Sequence, residues 1–362
     1  MFRFRDKGMA DKIVQKLREM DLQLTLMHVC GTHQDTLVRH GLRSLLEDAG
    51  IDIRQGPGCP VCVTTAKEIE ESIALAKAGK TIAVFGDMIN VPGVRESLAD
   101  AKTQGCDVRI VYSVNDAVDL AERKDNEVVF IGVGFETTTP SIAVAVSRKP
   151  PKNFSLLSCH RLIPPALKAI VEMGEIRLDG LIEPGHVSTI IGSKPYEFLS
   201  DDYGMPQVIA GFEPLDLLMG VYMLARQKKE GVARVDIEYT RVVRPEGNPA
   251  AVEAMNEVFE PDDVKWRGFP TIPLSGLVLS DGYREYDARQ RFEDDLAYLK
   301  GKEFKEPKGC RCGEVLRGIV RSEECPLFAN VCKPSNPIGP CMVSAEGSCN
   351  ILYKYSKHAK KS

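Results

Sequence analysis

The chain has 362 residues, 43% hydrophobic and 27% charged, and its 47 Lys and Arg against 51 Asp and Glu give a formal charge of -4. That length allows two or three domains, because single cores stop growing at roughly 250 to 300 residues. No basic stripe interleaved with aromatics is present, which argues against nucleic acid, and no apolar run approaches the roughly 20 residues that span a bilayer.

Residues 1–20 form a charged amphipathic stretch with Ile13, Val14 and Leu17 at helical spacing. They lack the apolar centre of a signal peptide, so a cytoplasmic protein with no membrane association is expected. From residue 22 to about 230, short apolar runs alternate with helix-like segments such as 66–78 and 164–173. The predicted strands are 24–29, 81–85, 108–112, 127–133, 155–158, 178–182 and 207–210. This is the pattern of an α/β fold, a parallel sheet covered by helices.

The charged segment 116–126 precedes a strong new strand and suggests a boundary. The expected architecture is two small doubly wound parallel-sheet domains, 22–125 and 126–232, facing a cleft. A third domain would combine 1–21 with 233–362. It would hold a strand at 234–243, a helix opened by Asn248 and Pro249, a charged helix at 284–300 and the C-terminal cysteines. The closing basic run, 354–362, reads as a solvated tail.

Several motifs fall where a strand ends and a helix begins, the edge at which open α/β sheets bind ligands. His28-Val29-Cys30-Gly31-Thr32-His33 is the first. A cysteine at a helix start tends toward thiolate, and His33 is close enough in sequence to serve as base or second ligand. The plainer reading is a buried small thiol and a capping histidine. Gly56-Pro57-Gly58-Cys59-Pro60-Val61-Cys62 follows, with Thr65 and Glu68 in capping-box spacing. This Cys-x-x-Cys suits a dithiol couple, half a zinc site or a pair of iron ligands, in a loop expected to be tight and exposed. Cys30, Cys59 and Cys62 could converge with an imidazole on one mononuclear iron or zinc ion.

In the second half, Gly134-Phe135-Glu136-Thr137-Thr138-Thr139-Pro140 joins a strand to a helix, with threonines placed as N-caps. Ser158-Cys159-His160-Arg161 and Glu183-Pro184-Gly185-His186 occupy further strand ends. Glu136, His160, Glu183 and His186 are expected opposite the cysteine edge, across the cleft. Glu213 and Asp216 read as helix-capping acids.

Six cysteines crowd the tail: Cys310, Cys312, Cys325, Cys332, Cys341 and Cys349. Their intervals match neither the short paired knuckles of a zinc ribbon nor the tight run of a bacterial ferredoxin. Thiolate is a soft ligand that selects iron-sulfur clusters, zinc or copper(I). A cubane would take four of the six, and two spare thiols beside it suggest electron exchange with a disulfide.

Together, the first two motifs, the Gly134 to Pro140 stretch and the tail from Cys312-Gly313-Glu314-Val315-Leu316 through Cys325-Pro326-Leu327-Phe328, Cys332 and Cys349 resemble the hydrogenase maturation protein HypD family. The resemblance runs nearly the whole chain. It implies two α/β domains around a cleft, an iron-sulfur domain, and a scaffold role with HypC in assembling the Fe(CN)2CO unit of [NiFe]-hydrogenase. Cyanide would come from HypE, and the finished unit would pass with HypC to the hydrogenase large subunit. By position, Cys30 would hold that iron with His33 as its neighbour, and Cys59 and Cys62 would be a redox pair. Cys312, Cys325, Cys332 and Cys349 would ligate a [4Fe-4S] cluster, with Cys310 and Cys341 as the accompanying thiols. Gln34 stands where some relatives carry glutamate, so a carboxylate role there does not carry over.

A second reading is a cluster-dependent thiol/disulfide oxidoreductase in which Cys59 and Cys62 turn over on a protein substrate. A third is a structural zinc protein that only binds partners.

Overall fold

The computed structural model describes residues 6–356, so the first five residues and most of the basic closing run lie outside the described residues. Its strands, in chain order, are β1 (Leu24–His28), β2 (Ile51–Gln55), β3 (Thr81–Phe85), β4 (Val108–Val111), β5 (Val128–Gly134) and β6 (Phe154–His160). They continue as β7 (Gly180–Pro184), β8 (Gln207–Ala210), β9 (Val235–Ile237), β10 (Phe259–Lys265) and β11 (Thr271–Leu279).

Two parallel sheets result, one ordered β2-β1-β7-β8-β9 and the other β4-β3-β5-β6, beside an antiparallel β10-β11 hairpin. The α/β class with two doubly wound sheets is thus the observed architecture. The sheets are not consecutive halves, however. A cut at 125 falls inside the second sheet, where β3 and β4 pair from one side of it and β5 and β6 from the other. The first sheet joins β1 and β2 to β7, so the chain leaves it after β2 and returns after β6.

Strand alternation explains how the two sheets share one core. Ile82, Val84, Val129 and Ile131 face the central cluster along with Met27, Val29, Leu181 and Ile209 of the first sheet. The intervening residues point outward: Leu26, Ile182 and Val208 into one flanking cluster, Ala83, Phe130 and Phe154 into another. The central cluster runs on into Trp266, Cys312, Cys341 and Cys349, so the cysteine-rich tail is continuous with the space between the sheets.

The helix Lys7–Glu19 buries Ile13, Val14 and Leu17 on the outer face of the first sheet, where it packs on the helix Pro214–Glu230. It does not join the C-terminal region, as the 1–21 assignment supposed. The helix Pro249–Val258 is capped by Asn248 as expected, but the expected strand 234–243 shortens to β9. The expected helix 284–300 is replaced by short turns, Ala288–Arg291, Glu293–Leu296 and Ala297–Leu299. Arg289 and Arg291 there reach carbonyls of β6, at 2.7 Å to Ser158 and 3.3 Å to Phe154, and those bonds outweigh a continuous helix. Among the described residues no helix is long and apolar enough to cross a membrane.

Candidate functional site

Cys30, two residues past the end of β1 and in extended conformation, is the N-cap residue of the helix Gly31–Arg39. Its sulfur lies beside the backbone N–H groups of Thr32 and His33, which favour a thiolate. Burial outweighs them and lifts the thiol pKa to about 11, so the thiolate tendency expected of a helix start is not realised in the chain alone. Charge at Glu346 adds to the rise.

His33 does not stand over that thiol as a free base. Its Nε2 lies 3.0 Å from the Gly211 carbonyl, its ring packs on Phe212, and burial lowers its pKa to about 3. Nδ1 remains buried without a partner. His28 is also held neutral by burial, with a pKa of about 4. Its Nδ1 lies 3.1 Å from the Cys30 carbonyl and its Nε2 3.0 Å from the Gln34 Oε1, both acceptors, so the neutral ring donates to one of the two. The Gln34 Nε2 donates to the Ser348 hydroxyl at 3.2 Å, which also accepts from the Ser322 hydroxyl at 2.9 Å. A carboxylate at 34 could accept from His28 but could not donate to Ser348, so the amide has a specific place in this chain of contacts.

The Gly56 to Cys62 loop packs directly under Cys30. A Cβ at Gly58 would overlap the backbone of Val29 and Cys30, and Gly31 donates to the Gly58 carbonyl at 3.3 Å. Contrary to the expected exposed loop, Cys59 and Cys62 have 0% exposure, because the loop is pinned between the sheet, the hairpin turn and the tail. They form a disulfide, so these two sulfurs are bonded to each other and do not complete a mononuclear site with Cys30. Among the described residues no three His, Cys, Asp or Glu side chains gather at single-ion spacing. The short helix Pro60–Val63 carrying Cys62 touches the tail helices Cys312–Leu316 and Pro340–Val343. Arg267 clamps its far end through the Val63 and Thr64 carbonyls, each at 2.8 Å.

Thr65 and Glu68 form the expected capping box, and Glu68 also receives the buried Arg161 guanidinium at 2.7 Å. Asp216 accepts from the Glu213 N–H at 3.0 Å, as capping acids should. The threonines after Gly134 behave differently from expectation. Thr138 makes no side-chain cap and packs on Gly134, whose missing Cβ leaves it room, while Thr139 donates to the Phe135 carbonyl at 3.0 Å.

In the tail, Cys310, Cys312, Cys325, Cys332 and Cys349 line a small cavity walled by Val315, Leu327, Phe328 and Met342. Five soft donors in an apolar wall fit a thiolate-ligated cluster. Cys341 sits fully buried behind them with its sulfur beside that of Cys312, and Cys310 flanks Cys312 on another side. Both Cys310 and Cys341 are free thiols, and the hydrogen bond each shares with the Cys312 thiol, together with burial, raises their pKa values strongly.

The acids and histidines expected opposite the cysteine edge divide between the sheets. Glu183, in the last pairings of β7, and His186, just after that strand, belong to the immediate neighbour of β1 and so lie toward the same sheet edge as Cys30. Glu136 and His160 come from the other sheet. His186 is exposed and stacks on Phe212 at 3.9 Å. Buried Glu136 accepts from the Ile163 N–H at 2.9 Å and burial raises its pKa to about 7. His160 bonds Ser158 at 3.0 Å, and burial lowers its pKa to about 3.

Sequence reasoning missed Glu346 and Tyr196 near Cys30, and Asp87 beside Glu346. Glu346 lies so close that a Cβ at Gly31 would come within 2.5 Å of its own Cβ. Asp87, at the end of β3, meets Ser344 at 3.5 Å and adds its charge to that of Glu346. Tyr196, buried in the central core, lies within electrostatic reach of Glu183, Glu136 and Cys30. None sits in a motif with a recognisable spacing; only the Gly31 after the cysteine hints that another segment must approach.

A buried free thiol at a sheet edge, a buried disulfide in the loop packed against it and a thiol-lined tail cavity mark an α/β protein whose cysteines gather around one core. The HypD family model, described as Hydrogenase formation hypA family, matches residues 6–356. The chain is 44% identical to a putative hydrogenase expression/formation protein of Methanocaldococcus jannaschii, over 99% of this chain and 100% of that one. It is 42% identical to hydrogenase maturation factor HypD2 of Bradyrhizobium diazoefficiens, over 98% and 96% of the two chains. It is 40% identical to hydrogenase maturation factor HypD of Rhodobacter capsulatus, over 97% of each. The chain belongs to the HypD family.

Proposed function

We propose that this protein works in hydrogenase maturation, as the scaffold on which the Fe(CN)2CO unit is assembled. The names of its relatives support the pathway. The observation that carries the scaffold reading is the seat of Cys30, a free thiol whose backbone packs on Gly58 of the loop that leads into the Cys59–Cys62 disulfide, with the Glu346 carboxyl close by. Cys30 holds the cargo iron jointly with a HypC-type partner, and a HypE-type protein delivers cyanide. The completed unit leaves with the HypC-type protein for the hydrogenase large subunit.

Cys312, Cys325, Cys332 and Cys349 would hold a [4Fe-4S] cluster in the tail cavity, with Cys310 and Cys341 as adjacent thiols. A bound cluster supplies electrons singly. Reduction of Cys59–Cys62 takes two electrons and two protons and leaves two thiols beside the Cys30 loop. A cytoplasmic setting belongs to the same reading, since a reducing poise keeps the tail thiols available to metal. Complete burial of Cys59 and Cys62 disfavours turnover on a protein substrate, whose thiol would have to reach a sulfur with no exposed surface.

The test is complementation of a strain lacking its own HypD. Cys30→Ala should abolish hydrogenase maturation while the purified variant keeps its cluster iron and sulfide, and Cys106→Ala should mature hydrogenase normally. Maturation by Cys30→Ala at the unaltered rate would remove Cys30 from the account.

A further inference from the structure

The Ile338 N–H donates to the Cys332 sulfur at 3.4 Å, and the Gly339 N–H faces the same atom. Gly339 also brings the backbone close to two further sulfurs, since a Cβ there would stand 2.6 Å from that of Cys312 and 2.9 Å from that of Cys310. Only glycine lets a main chain come this near. Cys310, Cys312 and Cys332 all line the tail cavity, so this stretch of backbone lies against three of the sulfurs that would hold or flank a cluster.

The chain sets these donors itself. Residues 333–339 leave Cys332 and return to it through a turn, closed by the Asn336 N–H on the Lys333 carbonyl at 2.9 Å and the Lys333 N–H on the Asn336 carbonyl at 3.3 Å. The Asn336 side-chain amide crosses to the Val331 carbonyl at 3.2 Å. Pro334, Pro337 and Pro340 carry no N–H and restrict the backbone. Ile338 is half-buried against the central core, where a main-chain donor needs an acceptor, and the Cys332 sulfur is the acceptor this turn provides.

We propose that the N–H groups of Ile338 and Gly339 set the reduction potential of a cluster ligated by Cys332, raising it above that of the same site without them. This rests on the cluster reading above. A hydrogen bond to a ligand sulfur withdraws electron density from it, and so stabilises the cluster more in its reduced state, which carries the additional negative charge. The two donors make the cluster easier for a one-electron carrier to reduce and a weaker reductant of the Cys59–Cys62 disulfide. They thereby fix which carriers can drive the site. Ile338 and Gly339 act through Cys332 as positioning residues, and no bond to either forms or breaks.

The experiment is a redox titration of the full-length protein purified without oxygen, followed by the electron paramagnetic resonance signal of the reduced cluster, with iron and acid-labile sulfide assayed on the same samples. Ile338→Pro removes one donor and should lower the midpoint by about 59 mV or more, a tenfold change in the one-electron equilibrium. Ile338→Ala trims the same side chain but keeps the N–H, and should stay near wild type. Equal midpoints in the proline and alanine variants would overturn the proposal. Should the proline variant not hold a cluster, Asn336→Ala decides instead. That exposed side chain ties the turn to Val331, so its loss should lower the midpoint in the same direction, and a midpoint at the wild-type value would overturn the proposal. Wild type without acid-labile sulfide and its matching iron would overturn the cluster reading, and this proposal with it.

Discussion

Gly58 lies flat against the backbone of Cys30, with no room for a Cβ between them. The disulfide loop and the Cys30 loop are therefore one rigid unit, and a side chain at 58 must push them apart. Gly58→Ala should lower stability by about 1–3 kcal/mol, the usual range for overpacking, as read by urea unfolding. An unchanged midpoint would mean that the two loops are free to separate.

Glu68 links that unit to the second sheet. Burial raises its pKa, but Arg161 and Arg289 outweigh burial and hold it below the ordinary carboxylate range. Stability from this cluster is therefore full above the ordinary carboxyl pKa and is lost as pH falls through the depressed folded value. Glu68→Gln leaves buried Arg161 without its counter-charge and should cost about 3–5 kcal/mol near neutral pH. The variant's stability should also be less sensitive to acid than that of wild type, and parallel acid limbs in the two unfolding curves would contradict this.

Glu136 titrates with the opposite sign. Burial lifts its folded pKa from 4.5 to about 7, so the folded state keeps a proton that the unfolded chain releases. Its contribution is complete below about pH 4.5 and is lost as pH rises to about 7, at up to about 1.4 kcal/mol per pH unit. Glu136→Gln should flatten that decline while still accepting from the Ile163 N–H. The check is the thermal midpoint measured across this pH window, and an equally steep decline in the variant would assign the effect elsewhere.

The Cys59–Cys62 disulfide should resist external reductants and alkylating agents until the protein is unfolded, because both residues are fully buried. Its short loop limits the entropic gain to about 2 kcal/mol, so Cys59→Ser with Cys62→Ser should lower the unfolding midpoint modestly and leave the fold intact. Mass spectrometry after timed alkylation reads the accessibility. Prompt labelling of native protein would contradict the buried seat.

Much of the fold was legible where local signals dominate. β5 and β6 are near-continuous apolar runs, the mark of strands buried on both faces, and Thr65 with Glu68 announced a helix start. Partner choice between strands is non-local, so nothing near residue 125 told that β3 pairs with β5 and puts all of β3 to β6 in one sheet. The hairpin strand β10 carries Pro261, Asp262 and Asp263, residues depleted in strands, and is held by its pairing with β11. At the site, the Cys30 and Cys-x-x-Cys motifs were visible from their types and spacing. Spacing could not distinguish a disulfide from a pair of metal ligands, nor foresee that Glu346 and Tyr196 would arrive from distant segments.

The central claim is that Cys30 carries the cargo iron while the tail cysteines hold a separate cluster. Anaerobic co-purification with the HypC-type partner, followed by an infrared spectrum and iron and sulfide assays on one sample, tests it most directly. The account predicts cyanide and carbonyl bands that vanish in Cys30→Ala while acid-labile sulfide and its matching iron remain. Cluster iron without those bands, in wild type with the partner bound and the pathway intact, would contradict it.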